Sequence, residues 1–110
     1  MKGIHLRFYT YESRKHGSAL LYEWLLEFAR ERGIQGGSAF RAIAGYGRHG
    51  RLHEQHFFEL AGAVPVLVEF ICGEAEADGL IAALHQENVH LFYARLPADF
   101  GSVEPVAKRI

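Results

Sequence analysis

Hydrophobic and polar positions alternate from the start of the chain. Ile4, Leu6 and Phe8 are separated by His5, Arg7 and Tyr9, the period of two that marks a half-buried strand. The polar run from Glu12 to Ser18 ends it, and Ser18 is placed to cap a following helix, because its hydroxyl can accept from a free backbone N–H. From Ala19 to Arg32 the period lengthens. Leu21, Trp24, Leu25, Phe28 and Ala29 recur at three- and four-residue steps, with Glu23, Glu27, Arg30 and Glu31 between them, which predicts an amphipathic helix. Gly33 is a suitable stop.

After a Gly36-Gly37 turn, Ser38 to Ala44 reads as a second strand, with Phe40, Ala42 and Ala44 on one face and Arg41 and Ile43 on the other. The stretch Gly45 to Gly62 has no clear period. Val64 to Ile71 is a third strand, with Val64, Val66, Val68 and Phe70 opposite Leu67, Glu69 and Ile71; Pro65 belongs near its start. Glu74 to Glu87 is a second helix carried by Leu80, Ile81 and Leu84, which Asn88 can close. Val89 to Leu96 is a fourth strand, ended by Pro97.

The order β-α-β-β-α-β predicts an α+β, ferredoxin-like arrangement: a four-stranded antiparallel sheet in the order 4-1-3-2, with both helices on one face. On this reading residues 1–110 form one domain, with a flexible loop at about 46–62 and an unassigned tail at 98–110. Loops of that length in small domains tend to be functional or disordered. The sheet face away from the helices would hold Tyr9, Tyr11, Ile43, Leu67, Ile71 and Phe92, mixed with Arg7, Arg41 and Glu69. So apolar a face seldom stays in water, and an oligomer formed through it is expected. Glu69 on the central strand, between Arg7 and Arg41, predicts a structural ion pair inside that oligomer.

Composition narrows the function classes. The 110 residues suit one core, and 49% hydrophobic with 23% charged residues is ordinary for a globular chain. A formal net charge of -1 argues against a general nucleic-acid binder. The single cysteine, Cys72, cannot form an intramolecular disulfide, which fits a cytoplasmic home, and its apolar neighbours predict a buried structural thiol. No signal peptide or apolar run of membrane-spanning length is evident.

Candidate chemistry concentrates in Gly45–His56. In Gly45-Tyr46-Gly47-Arg48-His49-Gly50-Arg51 the glycines let backbone N–H groups approach an anion, and the arginines add planar donors. A solvated hairpin tip fits the same composition. His53-Glu54-Gln55-His56 could hold a metal if helical, although no Cys or Asp cluster completes a site. Arg14 and Lys15 near the first helix offer a further anion site or a solvated turn. Gly36-Gly37 reads as turn chemistry, with close ligand approach as the alternative. No nucleophile with an evident base occurs, so no enzyme is indicated.

Two blocks carry a family resemblance: Leu21-Tyr22-Glu23 through Ala29-Arg30-Glu31-Arg32-Gly33, and Gly36-Gly37-Ser38-Ala39-Phe40-Arg41-Ala42-Ile43-Ala44-Gly45-Tyr46-Gly47, followed by Leu52-His53 and Val64-Pro65-Val66. They resemble the PII-like family catalogued as domain of unknown function 190. Ile43-Ala44-Gly45-Tyr46-Gly47-Arg48 is similar to the base of the T-loop in PII signalling proteins. The resemblance implies a homotrimer that binds an adenine nucleotide (ATP, ADP or AMP) or another small anion between subunits. It also implies signalling through the loop at 45–56 to a partner, often a membrane transporter or an enzyme. Carried over, Gly45, Gly47 and Arg48 match the nucleotide-contacting loop base, with Arg51, Arg41 and His53 as further ligand candidates. Where PII proteins have a glycine-rich, basic loop before the fourth strand, this chain has Gln86-Glu87-Asn88-Val89; phosphate would then fall to Arg48, Arg51, Arg14, Lys15 or Arg95. Two rival readings are a metal-responsive ferredoxin-like trimer using His53 and His56, and a dimeric α+β barrel enzyme with a histidine in the sheet cavity.

Overall fold

The computed structural model describes residues 1–46, 53–54 and 64–107. Strand β1 is Lys2–Tyr11, and a small hairpin follows from β2 (Lys15–His16) and β3 (Ala19–Leu20). Helix α1 is Leu21–Glu31, β4 is Gly37–Arg41, and β5 (Ala44–Gly45) pairs with β6 (His53–Glu54). Strand β7 (Pro65–Cys72), helix α2 (Glu74–Gln86) and strand β8 (Phe92–Asp99) complete the order. The main sheet runs β4-β7-β1-β8, and all its pairs are antiparallel. In terms of the four long strands this is the predicted 4-1-3-2 order.

Both helices lie on one face because each has one apolar stripe and β1 and β7 supply the complement. Ile4, Leu6 and Phe8 from β1, and Val66, Val68, Phe70 and Cys72 from β7, are buried with Leu25, Ala29, Ala77, Leu80 and Leu84 from the helices. Phe8 and Phe70 meet edge to face at 6.1 Å. Burying a Leu or Phe in such a layer contributes roughly 1.5–3 kcal/mol.

Helix ends follow local chemistry. At the end of α1 Gly33 takes φ 90°. The Gly33 and Ile34 amides donate back to Arg30 O and Ala29 O at 3.0 and 3.1 Å, a Schellman closure that needs a left-handed residue. Asn88, at φ 57°, follows α2 in the same way. The start of α1 differs from expectation. Ser18 does not cap it: with Gly17 at φ 64° it forms the turn between β2 and β3. The first amide of the helix, at Leu21, instead donates to the Arg14 carbonyl at 2.7 Å. A backbone acceptor supplied by the hairpin replaces the side-chain cap.

Two strands depart from the predicted pattern. Strand β8 starts at Phe92 and continues through Pro97 to Asp99. It is an edge strand, where a residue without an N–H is tolerated. Strand β4 stops at Arg41, and its faces are the reverse of those expected. Phe40 lies opposite Leu67 and Arg41 opposite Val66, so Phe40 is on the open face and Arg41 on the helix side. The cause is steric. A Cβ at Gly37 would come within 2.5 Å of the Phe70 ring and 3.1 Å of Leu26 Cδ2, so the helix side of β4 accepts only small residues near α1. Gly37 is therefore a packing position, with Phe70 filling the space above it, whereas a Cβ at Gly36 would meet nothing within 4 Å.

Candidate functional site

The open face is built by rows that cross the sheet. Phe40, Leu67, Tyr9 and Phe92 align across all four strands, and Ser38, Glu69, Arg7 and Ala94 form the next row. Large apolar groups there are half exposed: Phe40 50%, Ile71 47% and Phe92 60%. Tyr9 and Phe92 rings lie 5.6 Å apart. Glu69 does share this face with Arg7, but Arg41 is on the other face, so the predicted three-residue arrangement is not formed. The Glu69 carboxylate instead accepts from His5 Nε2 at 2.8 Å. Arg7 Nε is buried and without a hydrogen-bond partner.

Arg41 is turned away because the faces of β4 are reversed, and it meets Glu12 just beyond the end of β1. Its Nε donates to Glu12 Oε2 at 2.6 Å, and its second guanidinium nitrogen lies 2.5 Å from the same oxygen. Both ends of the long loop converge here. The Glu12 amide donates to Val64 O at 2.7 Å, and the Ala42 amide donates to Pro65 O at 2.9 Å. Beyond Ala42, Gly45 pairs with His53 and Ala44 with Glu54, which carries the hairpin off the sheet. Tyr46 is 72% exposed at its start. Tyr22, on the first turn of α1, borders the same corner. Burial pushes its hydroxyl up from the ordinary tyrosine range, Glu23 and Glu12 add to this, and Arg41 opposes it. The hydroxyl donates to Glu23 Oε1 at 3.3 Å.

Of the predicted ligand residues, Arg41 and Gly45 stand on the two strands at the loop base, and the His53 backbone pairs with Gly45. Gly47, Arg48, Arg51 and His56 lie outside the described residues. Gly45 is demanded neither by a positive φ nor by crowding, since an added Cβ would meet only Pro65 Cγ at 4.0 Å. Arg95 belongs elsewhere: it donates to Asp78 Oδ1 at 2.7 Å and pairs with Leu6, whereas Arg41 pairs with Val66, opposite Thr10. Four residues of strand separate those rows, roughly 13 Å. Glu12 had no sequence signal, because it is 29 residues from Arg41; Tyr22 stands in a block that carries the family resemblance, but nothing in the sequence pointed to it as part of the site. Among the described residues no group of three His, Cys, Asp or Glu could hold a metal, and no helix is long and apolar enough to cross a membrane.

The architecture is that of PII-like proteins. CPII, a nitrogen regulatory PII-like protein from Thiomonas intermedia K12, bound to ADP, AMP and bicarbonate, superposes with a TM-score of 0.68. The match covers 93% of this chain and 91% of CPII, at 14% identity. The apo form of CPII matches at 0.54 over 89% and 92%, with 10% identity. A putative PII-like signaling protein from Thermus thermophilus matches at 0.58 over 88% and 86%, with 16% identity. At these identities the likeness is one of fold.

The model of the family known as domain of unknown function 190, described as uncharacterized ACR, matches residues 3–90, and the chain belongs to this family. A UPF0166 protein of Aquifex aeolicus (strain VF5) is 42% identical over 66 residues, 60% of this chain. The match spans 63% of that relative, less than two thirds of its length. A UPF0166 protein of Methanocaldococcus jannaschii is 27% identical over 86 residues, covering 78% of this chain and 79% of its own.

Proposed function

We propose that this chain is a non-enzymatic, cytoplasmic PII-like regulatory protein. It acts as a homotrimer, binds an adenine nucleotide or small anion at the cleft between subunits, and signals through the loop at 45–56 to a partner such as a membrane transporter or an enzyme. The observation that carries this reading is the position of Arg41, a cation at the base of the long loop, on a fold that in CPII holds ADP and AMP. Gly45 leaves the neighbouring backbone open to a ligand. Gly47, Arg48 and Arg51 follow in sequence, and His53 is carried on β6. Energy for signalling comes from different ligand affinity in two loop states.

The open sheet face supports assembly. The row Phe40–Leu67–Tyr9–Phe92 presents four adjacent large apolar side chains, more than a monomer usually leaves in water. Beside that row, the Glu69–His5 pair and the Arg7 guanidinium supply polar complements for a neighbouring subunit.

Calorimetric titration of the purified protein with ATP, ADP and AMP tests the reading. Saturable heats for at least one nucleotide, weakened in Arg41→Gln, are expected. Flat heats for all three on folded protein would remove the nucleotide reading.

A further inference from the structure

Arg41, the candidate ligand cation, is already occupied. Two of its guanidinium nitrogens converge on one oxygen, Glu12 Oε2, a charge-assisted contact of the kind Arg also makes to a phosphate oxygen. We propose that Glu12 is a competitor built into the site, holding Arg41 when the site is empty and giving way to the phosphate of a bound nucleotide. This inference rests on the nucleotide reading above.

Three features suit this pair to exchange. Its partners come from different elements, Glu12 just after β1 and Arg41 at the end of β4, so no helical spacing imposes it. It stands at the surface, with the Arg41 and Glu12 side chains 60% and 34% exposed, so the pair is weak enough to be exchanged. The Glu12 backbone meanwhile anchors the far end of the loop through Val64 O, so Glu12 keeps its place when its side chain moves.

A competitor lowers apparent affinity by the fraction of molecules in which Arg41 is free. For an exposed ion pair that factor is about two- to fivefold. The carboxylate also repels an incoming phosphate, and salt screens both effects.

The test is a double-mutant cycle read by calorimetric titration with ADP at low salt. Wild type, Glu12→Gln, Arg41→Gln and the double variant are compared, with circular dichroism as the check on folding. Glu12→Ala replaces Glu12→Gln if the latter does not fold. Glu12→Gln is expected to bind ADP about two- to fivefold more tightly than wild type, and the gain should vanish when Arg41 is already Gln. Equal or weaker binding by Glu12→Gln overturns it while leaving the nucleotide reading intact, as does a gain that persists without Arg41. No ADP binding by any variant overturns both.

Discussion

His5 Nε2 lies 2.8 Å from Glu69 Oε2 on the sheet face that no helix covers. The two residues sit on adjacent strands, one step diagonally apart, and Glu69 is directly opposite Arg7. Removing the carboxylate takes away the His5 acceptor and a negative charge on the strand position opposite Arg7. The side chains are 31% and 27% exposed, so the loss is modest, about 1 kcal/mol. Glu69→Leu should lower the melting temperature by roughly 4 °C and weaken self-association in sedimentation. An unchanged melt together with unchanged assembly would show that the pair has no structural role.

Gly37 and Gly36 are adjacent yet should respond differently to alanine. At Gly37 a Cβ would press into the Phe70 ring, whereas at Gly36 nothing lies within 4 Å. Gly37→Ala is expected to cost about 1–3 kcal/mol through overpacking. Gly36→Ala should fall within about 0.5 kcal/mol of wild type. Chemical denaturation of the two variants checks this, and equal effects would contradict the packing account.

Cys72 is buried on the helix side of β7. Burial pushes its thiol above the ordinary range, and Glu76 adds to that, against a smaller opposing pull from Arg95. Little thiolate then exists near neutral pH, and thiolate is the reactive form. A disulfide reagent should label the native protein slowly and the guanidinium-unfolded protein fully. Fast labelling of folded protein would place the thiol in a different environment.

Most of this architecture is legible in the sequence because β1, β7 and α1 are strongly periodic, and α2, more weakly amphipathic, still places Ala77, Leu80 and Leu84 on its buried side. Ile4-Leu6-Phe8 and Val66-Val68-Phe70 face the helices as their alternation predicts. The sheet order then follows from the element order. Strand β4 defeats pattern reading for a definable reason. Its helix side is crowded by Leu26 and Phe70, so the small residues Gly37 and Ala39 point inward and the large Phe40 points outward. Pattern reading assigns the larger apolar group to the core, and here that rule reverses. The same reversal puts Arg41 beside Glu12 rather than beside Glu69. Strand β8 runs past its expected end because Pro97 reads as a terminator until the strand is known to be an edge. At the site, the glycines and arginines of 45–51 stand out by composition. Glu12 does not, because only the meeting of two strand ends gives it meaning.

A trimeric PII-like assembly and nucleotide binding stand together at the centre of this account, and native mass spectrometry of the protein with ADP reads both at once. The expected result is a species of three 12.4-kDa chains carrying up to three ADP molecules, with the bound nucleotide reduced in Arg41→Gln. A folded monomer or dimer, or a trimer that takes up no ADP, would contradict it.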